Sequence, residues 1–234
     1  GKISSLLQSM NSAGIQTAVA ASIATKPEQY HSIFDWSLQI RRDRLIPFPS
    51  VHPDDPALFK HIDEIAESCF KGVKLHPYYQ HFSVDEERIL PLYERLAGVG
   101  LVLLLHCGFD IAFPHDRIAD PVKIRGICDR FPGLKLIASH FGGWKDWNES
   151  ERYLLGKPVY MDISASLEFM PEEQARRFLM QHPAEYILFG SDSPWDDQRE
   201  LLGRLYRFQL PESRLDALLY ENARRLLQLD PPAA

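Results

Sequence analysis

Apolar and polar positions along the chain follow two different periods. Seven short apolar runs are bounded by Gly, Pro or charged residues, which is typical of buried strands. These runs lie at residues 16–24, 43–51, 71–77, 100–107, 134–140, 158–166 and 185–192. Between the runs, apolar residues recur at helical spacing, as Leu58, Ile62 and Ile65 do. The predicted helices lie at residues 4–13, 27–38, 55–69, 85–98, 120–131, 148–155, 171–182, 198–208 and 211–229.

Strands that alternate with helices form right-handed βαβ units around a parallel sheet. Two architectures share this pattern, the (β/α)8 TIM barrel and the open doubly wound sheet. No G-x-G-x-x-G or G-x-x-x-x-G-K-[ST] motif follows a predicted strand, which weighs against the open nucleotide-binding sheet. We therefore predict an α/β protein with a (β/α)8 TIM barrel, of which seven of the eight strands are readable in this sequence. Because no Gly/Ser-rich linker divides the strands, we predict that residues 1–234 form a single domain.

Composition and charge limit which binding partners and which cellular compartment fit this sequence. The chain has 234 residues, a hydrophobic fraction of 45% and a net charge of −6, with no Lys/Arg-rich run, which argues against nucleic acid or an anionic membrane surface as a partner. No apolar run approaches the ~20 residues of a membrane span, and the N-terminus lacks the apolar core of a signal peptide. Cys69, Cys107 and Cys128 form no CxxC pair, which favours a reducing compartment, and we expect the cytoplasm. The expected partner is a small-molecule substrate. The sequence does not decide whether the chain also forms a homo-oligomer.

Polar residues capable of metal chemistry follow the predicted strands. His76, His106, His140 and Asp192 each stand at the carboxyl end of a different strand. In a barrel these ends meet at one mouth, so residues that are distant in sequence become neighbours. Imidazole and carboxylate groups in this arrangement predict a zinc-type site with one position open for water. We also expect Asp192 to be buried at its strand tip, where its charge needs a compensating cation.

Other residues near the strand ends are candidates for binding substrate. Lys74 has the same strand parity as His76, so both side chains are expected to point inward, with a buried ion pair as the alternative for the lysine. Trp195 follows Asp192, and it lines a pocket or packs under the loops. Arg117, in the loop after the run at 100–107, is the nearest arginine for an acidic substrate. Taken singly, a histidine at a strand end is more often a hydrogen-bonded structural residue than a ligand.

Four motifs carry a family resemblance. "GVKLHP", "LLLHCG", "LIASHFGG" and "ILFGSDSPW", in this order and spacing, resemble the metal-dependent hydrolases of the amidohydrolase superfamily. The sequence is most similar to the branch that includes aminocarboxymuconate semialdehyde decarboxylase, hydroxybenzoate-type decarboxylases and dicarboxylate lactonases. The likeness extends over residues 4–228. It implies a (β/α)8 barrel, in agreement with the alternation of strands and helices.

The resemblance implies roles for individual residues. His106 would be a metal ligand, and Asp192 would be both a ligand and the base that takes a proton from the attacking water. His140 would lie beside the metal-bound water or substrate as a catalytic residue and ligand. His76 and Lys74 would face the substrate. One divalent metal, with Zn²⁺ as the expected ion, would lower the pKa of its bound water to about 7 and polarise a carbonyl.

The sequence departs from the family at its beginning. The family carries a His-x-His pair on its first strand, whereas this sequence has no histidine before His31. We expect that pair, and the barrel's first strand that carries it, to belong to a segment ahead of Gly1.

Three functions are compatible with the sequence. The first is a metal-dependent hydrolase that acts on an ester, lactone or amide, and the second is a non-oxidative decarboxylase of a small unsaturated or aromatic acid that uses the same site. The third is a binding barrel without a metal, suggested by the missing His-x-His pair. Substrate identity depends on loops, which the strand pattern does not specify.

Overall fold

All seven predicted strands are present in the computed structural model, which describes residues 2–42 and 44–229. The strands are shorter than the apolar runs from which they were predicted. They are β1 (Ala18–Ala21), β2 (Leu45–Phe48), β3 (Gly72–Leu75), β4 (Val102–Leu105), β5 (Lys135–Ala138), β6 (Tyr160–Asp162) and β7 (Ile187–Leu188). Asp43, at the start of one predicted run, lies outside the described residues.

The helices occupy the segments between the strands. They are α1 (Ile3–Ala13), α2 (Tyr30–Ile40), α3 (Leu58–Glu67), α4 (Leu90–Val99), α5 (Pro121–Arg130), α6 (Trp147–Tyr153), α7 (Glu172–Gln181), α8 (Gln198–Tyr206), α9 (Glu212–Asp216) and α10 (Asn222–Leu227). A π-helical turn, Ala217–Glu221, joins α9 to α10, so the predicted last helix is one helical run with a widened middle. In the parts of the chain that the structure describes, no helix is long and apolar enough to cross a membrane.

The strand order identifies the architecture. β1 pairs with β2, and β3 to β7 pair in sequence order, every pair being parallel. The two sheets meet where the Lys74 N–H donates to the Pro49 carbonyl at 2.9 Å, just beyond the end of β2. A doubly wound sheet reverses its strand order at a switch point, and this order has no reversal. The fold is therefore the predicted TIM barrel, with seven strands in the described residues.

Alternate residues of the strands form an inner and an outer apolar layer. Inside the barrel, Phe48, Val102, Ile137 and Leu188 pack with leucines of α10. Asn222 of that helix donates to the carbonyls of Ala184 and Ile187 at 2.7 and 2.8 Å, which holds α10 at the amino-terminal end of the barrel. The carboxyl-terminal end is thereby left open for a site.

Candidate active site

Three histidines meet at the carboxyl-terminal end of the barrel, as the sequence predicts. His76 and His106 directly follow β3 and β4, and His140 lies two residues after β5. Their exposed fractions are 6%, 7% and 4%. The His76 and His106 rings stack with their centroids 4.1 Å apart, and His106 Nδ1 lies 3.2 Å from His140 Nε2. The barrel thus brings together side chains that are 30 or more positions apart in the sequence.

The hydrogen bonds around two of these rings determine where their protons lie. A carbonyl oxygen only accepts hydrogen bonds, so a ring nitrogen bonded to one carries the hydrogen. His140 Nδ1 lies 3.0 Å from the Ser164 carbonyl, and His106 Nε2 lies 3.0 Å from the Phe109 carbonyl. Burial, followed by the nearby His140, His76 and Lys74, holds the pKa of His106 well below its usual value, so this ring is neutral. His106 Nδ1 therefore presents a lone pair towards His140 Nε2.

A neutral His140 would also present a lone pair at Nε2, so a cation between the two nitrogens would stabilise this contact. The cation is either a second proton on His140 or a metal ion. Two nitrogen ligands of a tetrahedral zinc ion, each with a bond of about 2.0–2.1 Å, are about 3.3 Å apart. The observed separation is 3.2 Å, and the two ring planes are inclined at 66°. His106 Nδ1 and His140 Nε2 therefore fit two ligand positions of one divalent metal.

A second grouping, His76, His106 and Asp110, has ligand atoms within 4.8 Å of one another. The His76 and His106 rings are nearly parallel, with an interplanar angle of 14°. An imidazole binds a metal along a lone pair in its own plane, so two stacked rings do not aim at the same ion. His76 therefore packs against the face of His106 in this arrangement and does not share an ion with it.

His76 is neutral and incompletely hydrogen-bonded. Burial lowers the pKa of His76 to about 2, and the charge of Lys74 acts in the same direction. His76 Nε2 lies 3.7 Å from Asp110 Oδ2, which is too long for a hydrogen bond. Within the described residues, His76 Nδ1 is buried without a partner. Asp110 was not foreseen from the sequence, and its position four residues after His106 is the only signal there.

Lys74 lies in the lumen below the histidines. It precedes His76 by two residues and so points to the same face of β3. Burial lowers the pKa of the Lys74 ammonium, and the carboxylates of Asp192 and Asp162 act against this shift. The Lys74 ammonium is therefore attracted by two carboxylates, that of Asp162 at the end of β6 and that of Asp192 on the loop after β7.

The prediction that Asp192 is buried is wrong. Its side chain is exposed and its backbone is left-handed, with φ of 49°. The reason is that β7 ends at Leu188, so the chain leaves the barrel wall before it reaches Asp192. The Asp192 carbonyl accepts a hydrogen bond from the Trp195 N–H at 2.9 Å, and the Trp195 side chain is 83% exposed. Both residues stand at the rim of the site, accessible to solvent.

Arg117 lies further out, in the loop after β4. Its Nη2 donates to Asp146 Oδ2 at 2.8 Å, and its guanidinium stacks over the Phe109 ring at 5.4 Å. The Asp146 side chain is only 10% exposed, so this carboxylate neutralises much of the arginine's charge. Arg117 is thus less available for an anionic ligand than its sequence position suggests.

Asp162, the last residue of β6, and Ser164, two residues after it, contact His140 directly. Asp162 Oδ1 accepts the His140 N–H at 3.1 Å, and Ser164 Oγ lies 2.9 Å from His140 Nδ1. Both residues lie in the predicted strand run 158–166, and the sequence assigned a role to neither of them. Asp162 and Ser164 are two positions apart in "DIS", which places both side chains on the same face of an extended strand, and this spacing is the sequence signal for their position.

Comparisons with known proteins agree with this fold. A family model described as "Amidohydrolase" matches residues 6–229. No curated protein matches the chain in sequence. Among solved structures, an uncharacterized TIM-barrel protein from Bordetella bronchiseptica is 21% identical with a TM-score of 0.79, over 97% of this chain and 83% of that chain.

Two further solved structures have activities in their names. The 5-carboxyvanillate decarboxylase of Sphingomonas paucimobilis is 15% identical with a TM-score of 0.78, over 98% of this chain and 84% of that chain. A candidate 2-pyrone-4,6-dicarboxylic acid hydrolase of Pseudomonas putida is 18% identical with a TM-score of 0.69, over 97% and 88% of the two chains. At these identities the likeness shows the fold, and the family match covers nearly the whole chain.

Proposed function

The chain belongs to the amidohydrolase family and is an enzyme of that type, and we propose that it is a metal-dependent hydrolase that directs water at an ester, lactone or amide carbonyl of a small molecule. The observation that carries this proposal is the pair of facing nitrogens, His106 Nδ1 and His140 Nε2, 3.2 Å apart. Burial keeps His106 neutral, as a metal ligand must be. The separation of these two nitrogens matches that of two ligands on one tetrahedral zinc ion, which favours a divalent metal at this position.

His106, His140 and Asp192 are the residues that we propose to hold one divalent metal, with Zn²⁺ as the preferred ion. Imidazole nitrogen and carboxylate oxygen are the ligand types that zinc binds in open catalytic sites. When bound, such an ion lowers the pKa of a coordinated water to about 7 and polarises a carbonyl oxygen. Asp192 reaches the ion only if the loop after β7 closes on the site, because its side chain is exposed in this structure.

The remaining catalytic and binding roles are assigned to side chains of this protein. We assign Asp192 as the base that takes the proton of the attacking water, which an exposed carboxylate can pass on to solvent. As a ligand through Nε2, His140 would fix where the attacking water lies, since its Nδ1 hydrogen is committed to Ser164. His76 would line the substrate position and shield the face of His106 from solvent. Trp195, exposed at the rim, would cover the substrate from the solvent side.

The cation at the floor of the site favours a substrate with a carboxylate. Lys74 has a lowered pKa from burial, and an anionic substrate group would restore its preference for the charged form. Arg117 is a second, outer position for such a group. The decarboxylase and the hydrolase among the similar structures are both named for carboxylic acids, which supports an acidic substrate in either reaction.

Lys74 also makes decarboxylation the second candidate function. A non-oxidative decarboxylase would bind the carboxylate of a small unsaturated or aromatic acid in the same lumen, and a site acid would protonate the carbon that loses CO₂. The same residues serve both reactions, so the two are separated by product and not by binding.

Metal analysis and product analysis together test the proposal. The purified protein should contain one equivalent of a transition metal, and chelators should abolish its activity. H106N and H140N should lose the metal, whereas H115N, a change in an exposed loop histidine, should keep it. A panel of lactones, esters and hydroxybenzoates, followed for acid release and for CO₂ release, would distinguish the two reactions. Absence of bound metal together with activity that chelators do not affect would contradict both.

A further inference from the structure

We propose that Asp162 and Ser164 are positioning residues, which fix the orientation and the tautomer of the His140 ring so that Nε2 stays unprotonated and faces His106. The inference rests on the proposed function in one respect, because it concerns how a proposed metal ligand is held. It is carried by contacts that lie wholly within the protein.

Asp162 joins the ends of β5 and β6. Its Oδ1 accepts the backbone N–H of His140 at 3.1 Å and that of Ser164 at 3.0 Å. The same oxygen accepts the hydroxyl of Ser164. The Asp162 carbonyl accepts the Phe141 N–H at 2.8 Å. One buried carboxylate, 7% exposed, therefore fixes the backbone on both sides of the His140 ring.

Ser164 completes the contact with the ring itself. His140 Nδ1 lies 3.0 Å from the Ser164 carbonyl and 2.9 Å from its Oγ. Because the Ser164 hydroxyl hydrogen points at Asp162, its Oγ can only accept from the imidazole. Both acceptors next to Nδ1 thus require a hydrogen there. In the neutral ring this leaves Nε2 without one.

The backbone at His140 is held in an unfavourable conformation. His140, Phe141 and Gly142 have φ values of 62°, 52° and 74°, all in the left-handed region that non-glycine residues avoid. The His140 carbonyl accepts the Trp147 indole N–H at 3.1 Å, and the Phe141 carbonyl accepts the Ser150 hydroxyl. Such conformations persist where the surroundings specify them, and they cluster at functional sites. This turn directs the His140 ring back across the barrel mouth towards His106.

A purely structural role for Asp162 and Ser164 makes a different prediction. If the role were purely structural, substituting either residue would lower only the stability of the fold, by as much as the loss of any buried hydrogen bond does. A positioning role also changes which nitrogen of His140 is protonated and how tightly the site binds a metal. Ser50 supplies the matched control, because its buried hydroxyl donates to the Lys74 carbonyl at 2.7 Å at another strand end and does not contact His140.

The first measurement is the tautomer of His140 in metal-free protein. Nitrogen NMR of ¹⁵N-histidine-labelled protein at pH 8.5, with the His140 signals assigned from H140Q, should show a single Nδ1–H tautomer in the wild type. S164A and D162N should show a mixture of tautomers, whereas S164T, which keeps the hydroxyl, and S50A should resemble the wild type. A wild type with mixed tautomers, or variants with unchanged spectra, would overturn the inference.

The second measurement is metal affinity by competition with a chelator, using Zn²⁺ and Co²⁺. Changes in residues that orient metal-binding histidines weaken affinity 10–100-fold, and we expect this range for S164A and D162N. S50A should lose a similar amount of thermal stability and retain its affinity. If the wild type binds no metal, the proposed function fails while the NMR comparison still decides the positioning role. If the wild type binds metal and S164A and D162N bind it equally tightly, the inference fails while the proposed function stands.

Discussion

Replacing Gly190 by alanine tests how closely the site is packed around Asp162. A Cβ at position 190 would lie 3.0 Å from both Cβ and Cγ of Asp162 and 3.3 Å from its Oδ1. Carbon atoms in contact are ordinarily ~3.5–4.0 Å apart, so one of the two residues must move by about half an ångström. Gly190 does not have a positive φ, so the effect of G190A comes from crowding and not from backbone strain.

The size of the effect expected for G190A follows from the hydrogen bonds that the Asp162 carboxylate makes. Adding a methyl group to a filled interior costs about 1–3 kcal/mol in the free energy of unfolding. The displaced carboxylate also lengthens its bonds to the backbone of His140 and Ser164, now 3.1 and 3.0 Å. We therefore expect metal affinity to fall roughly tenfold, the lower end of the range for residues that orient a metal ligand.

G203A is the matched control for this change. Gly203 lies within α8, and a Cβ there would meet no atom within 4 Å. The alanine should stabilise the protein by about 0.5–1 kcal/mol, because glycine is the weaker helix former. Urea denaturation and chelator competition measure both quantities. The two glycine substitutions should thus shift stability in opposite directions, and a G190A protein with wild-type stability and affinity would refute the reasoning.

Three further predictions concern individual side chains. Burial lowers the pKa of His182 to about 4, below its value of about 6.5 in the unfolded chain. The neutral form of His182 therefore stabilises the fold above pH 6.5, and this stability is lost as the pH falls towards 4. Urea denaturation should show a loss of roughly 2 kcal/mol from this group between pH 7.5 and pH 5.0, and H182Q, which keeps an amide donor for the Val159 carbonyl, should lose correspondingly less. K74M should raise KM for a substrate carboxylic acid at least tenfold and leave a neutral ester analogue unaffected, and equal effects on both would argue against Lys74 as the carboxylate partner. R117M should raise the same KM less than K74M, because Asp146 already pairs with Arg117. This pair, whose arginine side chain is 46% exposed, should contribute less than about 1 kcal/mol to stability.

The histidine cluster was predictable because it follows from topology alone. Parallel strands in a barrel bring their carboxyl ends to one mouth whatever the side-chain packing is, so His76, His106 and His140 had to meet there once the strands were recognised. The strand count was predictable for a similar reason, since buried strands of a parallel sheet are continuous apolar runs.

The environment of residues beyond the strand ends was not predictable, because it depends on the residue at which strand pairing ends and on the course of the loop that follows. The apolar run before Asp192 continues through Phe189, yet pairing with β6 ends at Leu188, and the remaining residues turn the carboxylate outward. Asp110 lies on a loop whose course depends on tertiary contacts such as the Phe109 N–H to the Trp144 carbonyl at 2.9 Å. Sequence pattern specifies which face of a strand a residue is on, but it does not specify where pairing stops.

The use of histidine at the centre of the site follows from its two nitrogens. In both His106 and His140, one nitrogen is tied to a backbone carbonyl, of Phe109 and Ser164 respectively, and the other is left to face its neighbour. A carboxylate in either place could not donate to such a carbonyl, and a lysine could not present a lone pair while charged. Burial keeps His106 neutral, so its free nitrogen remains a ligand down to acidic pH. The backbone carbonyls therefore aim the two lone pairs at each other before any ion arrives, and the residual repulsion between them is relieved only when a cation binds.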